Sequence, residues 1–450
     1  MKITFAKEKI IMPPPSPDPD TIFAELLQDL PPETADLARE FKAFTRARKL
    51  KTPAQLLRAV LLFAGLDLTE REVAANLILV DPTIKCLSDQ AVHDRLRAST
   101  VWLQALLPRL LAQDPLPVLP SGLRLLVIDA TDVTAPGQAQ TTWRLHAVLD
   151  LVSLQVVCVQ LTDRRTGETL CNFGFAPEEV VIADRGYSHR RGVAHLLASG
   201  GQVIGRYNPH TFPVQDLAGE PLAVAEALAD CAPGERRTLA VQFVAPQGQT
   251  YQVWIHAYRL PGAAAEAARR RCRREGQKGG YTPKASTLLL AEFILILTSL
   301  PPAVLCAETI LAVYRCRWQV ELLIKRWKSL LALDQLRARA GSRLGSVWLH
   351  GKLLYAGLLE RRCRRRCGPE WTRLDQERRG TWWRVWQLMA QEVTPLITLV
   401  HCWDLSAWPA ALEALAERKR KRRLQALPEA VVVWLQRPAP ATDKALKKAA

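Results

Sequence analysis

The chain runs in two hydrophobic rhythms. From about residue 21 to 118, apolar positions recur every three to four residues, the period of helices with one buried face. KTPAQLLRAVLLFAG reads as one helix, with Thr52 as its cap and Pro53 at its first position. After a break at Gly65 to Asp67, LTEREVAANLIL carries Thr69 and Glu72 at the spacing of a capping box. SDQAVHDRLRASTVWLQALLPRLLA, opened by Ser88, reads as the next helix and leads with Gln90, His93, Arg95 and Arg97. Two short helices followed by a polar, basic one fit a helix-turn-helix or a small helical bundle.

From Leu123 the pattern becomes that of a sheet. LRLLVIDAT is a continuous apolar run ending in an acid, as in a strand buried on both faces. WRLHAVLDLVS and LQVVCVQLTDRR read as two more strands, and GETLCNFGF as a short helix or turn. VVIADRG is a buried strand ending at Asp184, SHRRGVAHLLASG a helix closed by Gly200, and GQVIGRYN a further strand. This order predicts an α/β fold with a mixed sheet. Residues 211–287 break the rhythm: LAVQFVAP and TYQVWIHAYRL alternate as a hairpin would, and RRRCRREGQKGG from Arg269 reads as an exposed loop. A β-rich insertion is expected there. LLLAEFILILTSL, from Leu288, then reads as a buried strand, followed by a long helix from Ala307. Beyond residue 345 the chain is helical again and rich in Arg and Trp, and it runs into RKRKRR at 418–423 and a Pro/Ala/Lys tail. The proline-rich first twenty residues are expected to be disordered.

Charge narrows the partners. Among 450 residues, 61 Lys and Arg stand against 44 Asp and Glu, a net +17. Such an excess suits a polyanion, nucleic acid first and an anionic membrane surface second. The ten cysteines are scattered without a C-x-x-C pair, which argues against a zinc module and a disulfide framework. No apolar run is long enough to span a bilayer, so a cytoplasmic protein is expected.

Candidate chemistry lies in the acids. Asp129 and Asp184 each end an apolar strand, where open α/β sheets place their ligand sites. A carboxylate there must face water, a cation or a hydrogen-bond donor. A third acid, Glu321, stands in the basic stretch YRCRWQVELLIKRWK at 314–328. At about 100° per residue, Tyr314, Arg317, Glu321, Lys325 and Lys328 share one face of a helix. Val313, Val320, Ile324, Trp327 and Leu331 form a separate apolar stripe. Taken alone, the charged face reads as solvated, with Glu321 and Lys325 paired at i,i+4. Taken with the strand-end acids, Glu321 completes a carboxylate set for hard divalent cations. Asp132, Asp150 and Asp163 are bystanders, Asp150 being the second choice for the set. Trp371, Trp382, Trp383 and Trp386 offer a stacking surface or, equally, helix-packing core. Trp318 borders the charged face.

The pattern Tyr-x2-Arg-x3-Glu-x6-Lys, preceded by D-A-T on one strand and A-D-R-G-Y on another, resembles the DDE transposases of bacterial insertion sequences. It is most similar to the insertion-sequence-four group, whose signature is named for that Tyr-Arg-Glu-Lys set. The likeness runs from about residue 120 to 340. It implies an RNase H-like catalytic core over 119–345, with the β-rich insertion at 211–287. A helical DNA-binding region over 21–118 and a helical, basic region over 346–450 would flank it. By resemblance, Asp129, Asp184 and Glu321 are the catalytic metal ligands, for Mg²⁺ with Mn²⁺ as a substitute. Tyr314 and Arg317 would contact phosphates near the element's end, with Trp318, Lys325 and Lys328 as further DNA contacts. The implied activity cuts double-stranded DNA at terminal inverted repeats and joins the 3′ ends to target DNA. A homodimer on paired ends, in the bacterial cytoplasm at the nucleoid and away from membranes, is implied too. A non-catalytic regulator derived from a transposase, or an RNase H-like nuclease that cuts without joining, are the competing readings.

Overall fold

The computed structural model describes residues 18–81, 83–117, 122–138, 140–339, 341–367 and 382–415. Most of the proline-rich tail, Trp371 and the RKRKRR run lie outside the described residues.

Six helices lead the chain: α1 (Pro19–Leu27), α2 (Thr34–Glu40), α3 (Pro53–Val60), α4 (Glu70–Val80), α5 (Asp89–Ala98) and α6 (Thr100–Leu111). Their starts follow local chemistry. Thr52 accepts from the Gln55 N–H, Ser88 from that of Ala91, and Thr69 and Glu72 close a reciprocal capping box. The helix of α3 runs on through a wider π turn, Leu61–Gly65. The helix expected from Ser88 onward is in fact two. Ser99 is buried, its hydroxyl donates to the Arg95 carbonyl at 3.0 Å, and its N–H turns to Leu96, so the ladder restarts at Thr100.

The centre is one eight-stranded sheet of β1 (Arg124–Thr134), β2 (Thr141–Asp150), β3 (Val156–Asp163), β4 (Glu179–Ala183), β5 (Gln202–Arg206), β6 (Arg236–Val244), β7 (Thr250–Arg259) and β8 (Phe293–Thr298). The spatial order is β3-β2-β1-β4-β5-β8-β7-β6. β1, β4 and β5 run parallel, and the remaining pairs are antiparallel. The expected hairpin at 236–259 is present, but it is no separate β module. β7 pairs with β8 and β8 with β5, so the inserted strands prolong the central sheet.

Three readings of this region are corrected. The basic stretch from Arg269 is not a loop; it lies within α9 (Gly262–Lys278), where Ala, Arg, Glu and Gln favour a helix. The Leu288 run is not one strand but α10 (Ala285–Ala291) followed by β8, with Glu292 between them. Glu292 is buried and is held by Arg259 at 2.9 Å and Arg269 at 2.5 Å, which fixes α9 against the sheet. The long helix from Ala307 is broken into α11 (Ala307–Arg315) and α12 (Trp318–Leu331). Around Cys316 and Arg317 the backbone bonds tighten to the i→i+3 pattern, as from the Arg317 N–H to the Tyr314 carbonyl.

Strand residues alternate between two cores. On one face Leu126, Ile128, Val181 and Val203 pack with α7 (Arg190–Ala198). On the other, Val127, Ala147, Ile182 and Ile204 join the apolar stripe of α12, where Val320, Ile324, Trp327 and Leu331 are buried. That second core continues without a break into α3, α4 and α6 and into α13 (Arg343–Arg366) and α14 (Trp382–Thr398). Buried polar links fasten these helices: Lys352 to Asp67 at 2.7 Å, and Arg362 to Asp29 at 2.9 Å. A last helix, α15 (Trp408–Leu415), lies against α4.

Candidate active site

The parallel order of β1 and β4 brings the carboxyl ends of two neighbouring strands together. Asp129 stands on β1, beyond Val127, which is opposite Ile182; Asp184 follows the last residue of β4. α12 packs over β1 and carries Glu321 in its first turn. Strand pairing and one helix on the sheet therefore bring the three acids named from the sequence into one neighbourhood.

Backbone donors hold one oxygen of each strand acid. Asp129 Oδ1 accepts from the Ala130 N–H at 2.8 Å. Asp184 Oδ1 accepts from Gly186 at 2.9 Å and Tyr187 at 3.3 Å. Asp129 is only 18 % exposed. Burial, reinforced by Asp184 and Glu321, pushes its carboxyl up to about 6, against the pull of the Ala130 N–H and Arg317. Arg317, itself 19 % exposed, lies 3.6 Å from Asp129 Oδ2 through Nη1 and bonds Glu321 Oε1 through Nη2. The expected Glu321–Lys325 pair is not made. Lys325 turns instead to the half-exposed Trp318, with its Nζ 4.2 Å from the ring centroid.

Tyr314, Arg317 and Trp318 line a cavity of about 380 Å³ with Arg206, Arg236 and Tyr258. Lys325 is exposed and Lys328 half-buried, and neither forms an ion pair with a described residue. Asp132 pairs with Arg144 across β1 and β2 at 3.2 Å. Asp150 sits at the far end of β1's partner strand, buried, accepting from the Ser153 N–H and hydroxyl at 2.7 Å. It is a turn cap and is excluded from the site. Asp163 caps the turn at Thr166. Trp382 and Trp386 are buried and donate to Glu360 at 3.2 and 3.1 Å, so these two belong to the helical core.

Two features escape a reading by strand ends and helix faces. Glu168, in the turn after β3, is half-buried beside Asp184 and Asp129; burial first, then Asp184, raises its carboxyl above the ordinary range. Beneath the acids, the Tyr187 hydroxyl bonds His146 Nδ1 at 2.5 Å, and His146 Nε2 bonds Thr162 at 2.9 Å. Burial, with Arg144 adding to it, lowers His146 to about 4, so this support is uncharged at neutral pH.

Carboxylate oxygens are the hard donors that Mg²⁺ and Mn²⁺ prefer, and Oδ2 of both strand acids is free of backbone donors. As the side chains stand, no three acidic, His or Cys groups among the described residues enclose a single point. The positive charge between Asp129 and Glu321 is the Arg317 guanidinium. The donor set fits a divalent cation once that guanidinium moves aside.

The family model described as Transposase DDE domain matches residues 120–355, a span holding all three acids. The chain is 33 % identical over 337 residues to the putative transposase InsL for insertion sequence element IS186A of Escherichia coli K12. That match spans 73 % of this chain and 90 % of the relative. The transposase for insertion sequence element IS421 of Escherichia coli is 33 % identical over 338 residues, with the same coverage of 73 % and 90 %. Among the described residues no helix is long and apolar enough to cross a membrane. With its family domain spanning the sheet and the acids of α12 and the two strands, the chain belongs to the DDE transposases, enzymes that cut and join DNA.

Proposed function

We propose that Asp129, Asp184 and Glu321 are the metal-binding triad of an insertion-sequence transposase of the insertion-sequence-four group, built on an RNase H-like core. The observation that carries this reading is the meeting of two strand-end acids and one helix acid around a single guanidinium, that of Arg317. Tyr314, Arg317, Glu321 and Lys328 are then its signature, although α11 and α12 meet within it.

When bound, Mg²⁺, or Mn²⁺ in its place, activates water and stabilises the leaving 3′ oxygen. Asp129, Asp184 and Glu321 hold the cations and orient them. Arg317 leaves the acids and takes a phosphate by paired N–H bonds, a geometry lysine cannot match. Tyr314 lies beside it and contacts the same strand. Trp318 offers a stacking face, and Lys325 and Lys328 follow the backbone along α12. Water attacks the phosphorus at the element's end, the bond to the 3′ oxygen breaks, and a 3′-OH is released. That 3′ oxygen then attacks a target phosphodiester and displaces the target's own 3′-OH, so one set of acids serves both steps. The partners are terminal inverted repeats and target DNA, engaged by a homodimer in the cytoplasm at the nucleoid. The helices over 21–118 supply sequence-specific binding.

The test uses a plasmid carrying this gene with its native flanking DNA, incubated with purified wild-type or Glu321→Gln protein in Mg²⁺, then Mn²⁺. Cuts at inverted repeats, joined products and an inactive variant support the reading. Cutting without joining favours a nuclease, and binding without cutting favours a regulator. Asp129→Asn and Asp184→Asn should likewise abolish cleavage and leave DNA binding intact; an active variant removes its residue from the triad.

A further inference from the structure

We infer that Glu168 is a fourth acid of this site, one that takes up a divalent cation together with Asp184. The inference rests on the reading of Asp129, Asp184 and Glu321 as metal ligands.

Glu168 reaches the site from a different element, the turn between β3 and the short 3₁₀ helix Leu170–Asn172. Its carboxylate nonetheless lies against Gly186, two residues past Asp184. A Cβ placed on Gly186 would stand 1.9 Å from Glu168 Oε2 and 3.3 Å from Asp184 Oδ1. Two carboxylates thus converge on one point, and the space exists because residue 186 has no side chain. The backbone gives no other reason for glycine, since Gly186 is not among the residues with positive φ.

The approach is held in place. His189 Nδ1 accepts from the Gly192 N–H at 3.2 Å, which leaves the proton on Nε2 to donate to the Glu168 carbonyl at 3.2 Å. The turn carrying Glu168 is therefore tied to the start of α7, the helix that follows Asp184 in the chain. No described donor or cation satisfies the Glu168 side chain, and Arg144, the cation that tempers its charge, is committed to Asp132 at 3.2 Å. A merely solvated glutamate would extend into water; this one is folded inward beside a second negative charge. Such a pair is repulsive alone and favourable around a shared cation.

Mn²⁺ binding to the full-length protein without DNA, followed by electron paramagnetic resonance, tests the inference with a readout independent of activity. The variants are Glu168→Gln, Gly186→Ala and Glu321→Gln, each checked by thermal unfolding. Gly186→Ala displaces the Glu168 carboxylate without removing it. Both Glu168→Gln and Gly186→Ala are expected to weaken Mn²⁺ binding by about tenfold or more. Wild-type binding in Glu168→Gln, with Glu321→Gln weakened, overturns this inference and leaves the triad standing. Wild-type protein that takes up no Mn²⁺, or takes it up unaffected by Glu321→Gln, overturns the triad and this inference with it. Should Gly186→Ala fail to fold, the near-isosteric Glu168→Gln decides alone.

Discussion

Arg317 lies 3.6 Å from Asp129 while its other nitrogen bonds Glu321, so a single guanidinium spans a strand acid and a helix acid. The break between α11 and α12 starts the new helix at Arg317 itself, one turn before Glu321. The charge that the acids need from a metal is supplied from inside the chain, by a group equally suited to a DNA phosphate. Metal and DNA are thereby coupled: a phosphate that draws Arg317 away frees the acids.

Arg317→Gln should therefore bind Mn²⁺ more tightly than wild type in the absence of DNA, by about fivefold, the equivalent of roughly 1 kcal/mol for a partly buried pair. The same variant should bind DNA more weakly and with a shallower salt dependence. Calorimetric titration with Mn²⁺ and DNA binding at several salt concentrations measure the two effects. Weaker metal binding would mean that Arg317 orders the acids rather than competing for them.

The raised carboxyl of Asp129 gives a pH signature. Its ordinary value is 3.8 and burial pushes it up to about 6, so between these values the folded chain holds a proton that the unfolded chain has released. The resulting stabilisation is present at the acid end of that window and is lost as pH rises through 6. Above it, the buried charge is a cost. Asp129→Asn in a chelator should be more stable than wild type at pH 7.5, by roughly 1–3 kcal/mol, and the difference should shrink towards pH 4. Denaturant unfolding across that range checks it, and equal stability at pH 7.5 would show that Arg317 already offsets the burial.

How much of this was legible in the sequence follows from how local each cause is. Asp129 and Asp184 could be found because an apolar run ending in an acid is contained within one strand. The caps at Thr52 and Thr69 were legible for the same reason. The break at Cys316 and Arg317 was not, since helix periodicity continues straight across it. The Leu288 run misled because a continuous apolar stretch suits a helix or a strand, and only the buried ion pairs of Glu292 mark the change. Glu168 was invisible for a further reason. Its position has meaning only once β3, β4 and the glycine after Asp184 are folded together.

Tryptophans near arginine divide into two kinds that sequence cannot separate. Trp386 is buried and donates to Glu360, so Trp386→Ala should lower stability by about 3–5 kcal/mol, with any loss of DNA binding following from unfolding. Trp318 is 50 % exposed, with Lys325 over its ring. Trp318→Ala should change stability by less than about 0.5 kcal/mol. It should still weaken binding to end DNA by about 1–3 kcal/mol if a base stacks there. Denaturant unfolding and DNA titration on both variants separate the cases, and undiminished DNA affinity in folded Trp318→Ala removes it from the interface.

The shared core of the N-terminal helices and α13 depends on a close approach at Gly351. A Cβ there would stand 2.6 Å from Ala64 Cβ and 3.0 Å from Val60 Cγ1, two atoms of α3 and its π turn. Both neighbours are short or stiff and fully buried, so neither can swing aside, and one added methyl must part the helices. Gly351→Ala is expected to cost about 1–3 kcal/mol. Gly174→Ala, at an exposed position with nothing within 4 Å, serves as the control and should stay within about 0.5 kcal/mol of wild type. Because one core joins these helices to the sheet, Gly351→Ala should lower the melting temperature of a single transition. A separate, earlier transition in calorimetry would show instead that the helices unfold from the sheet independently.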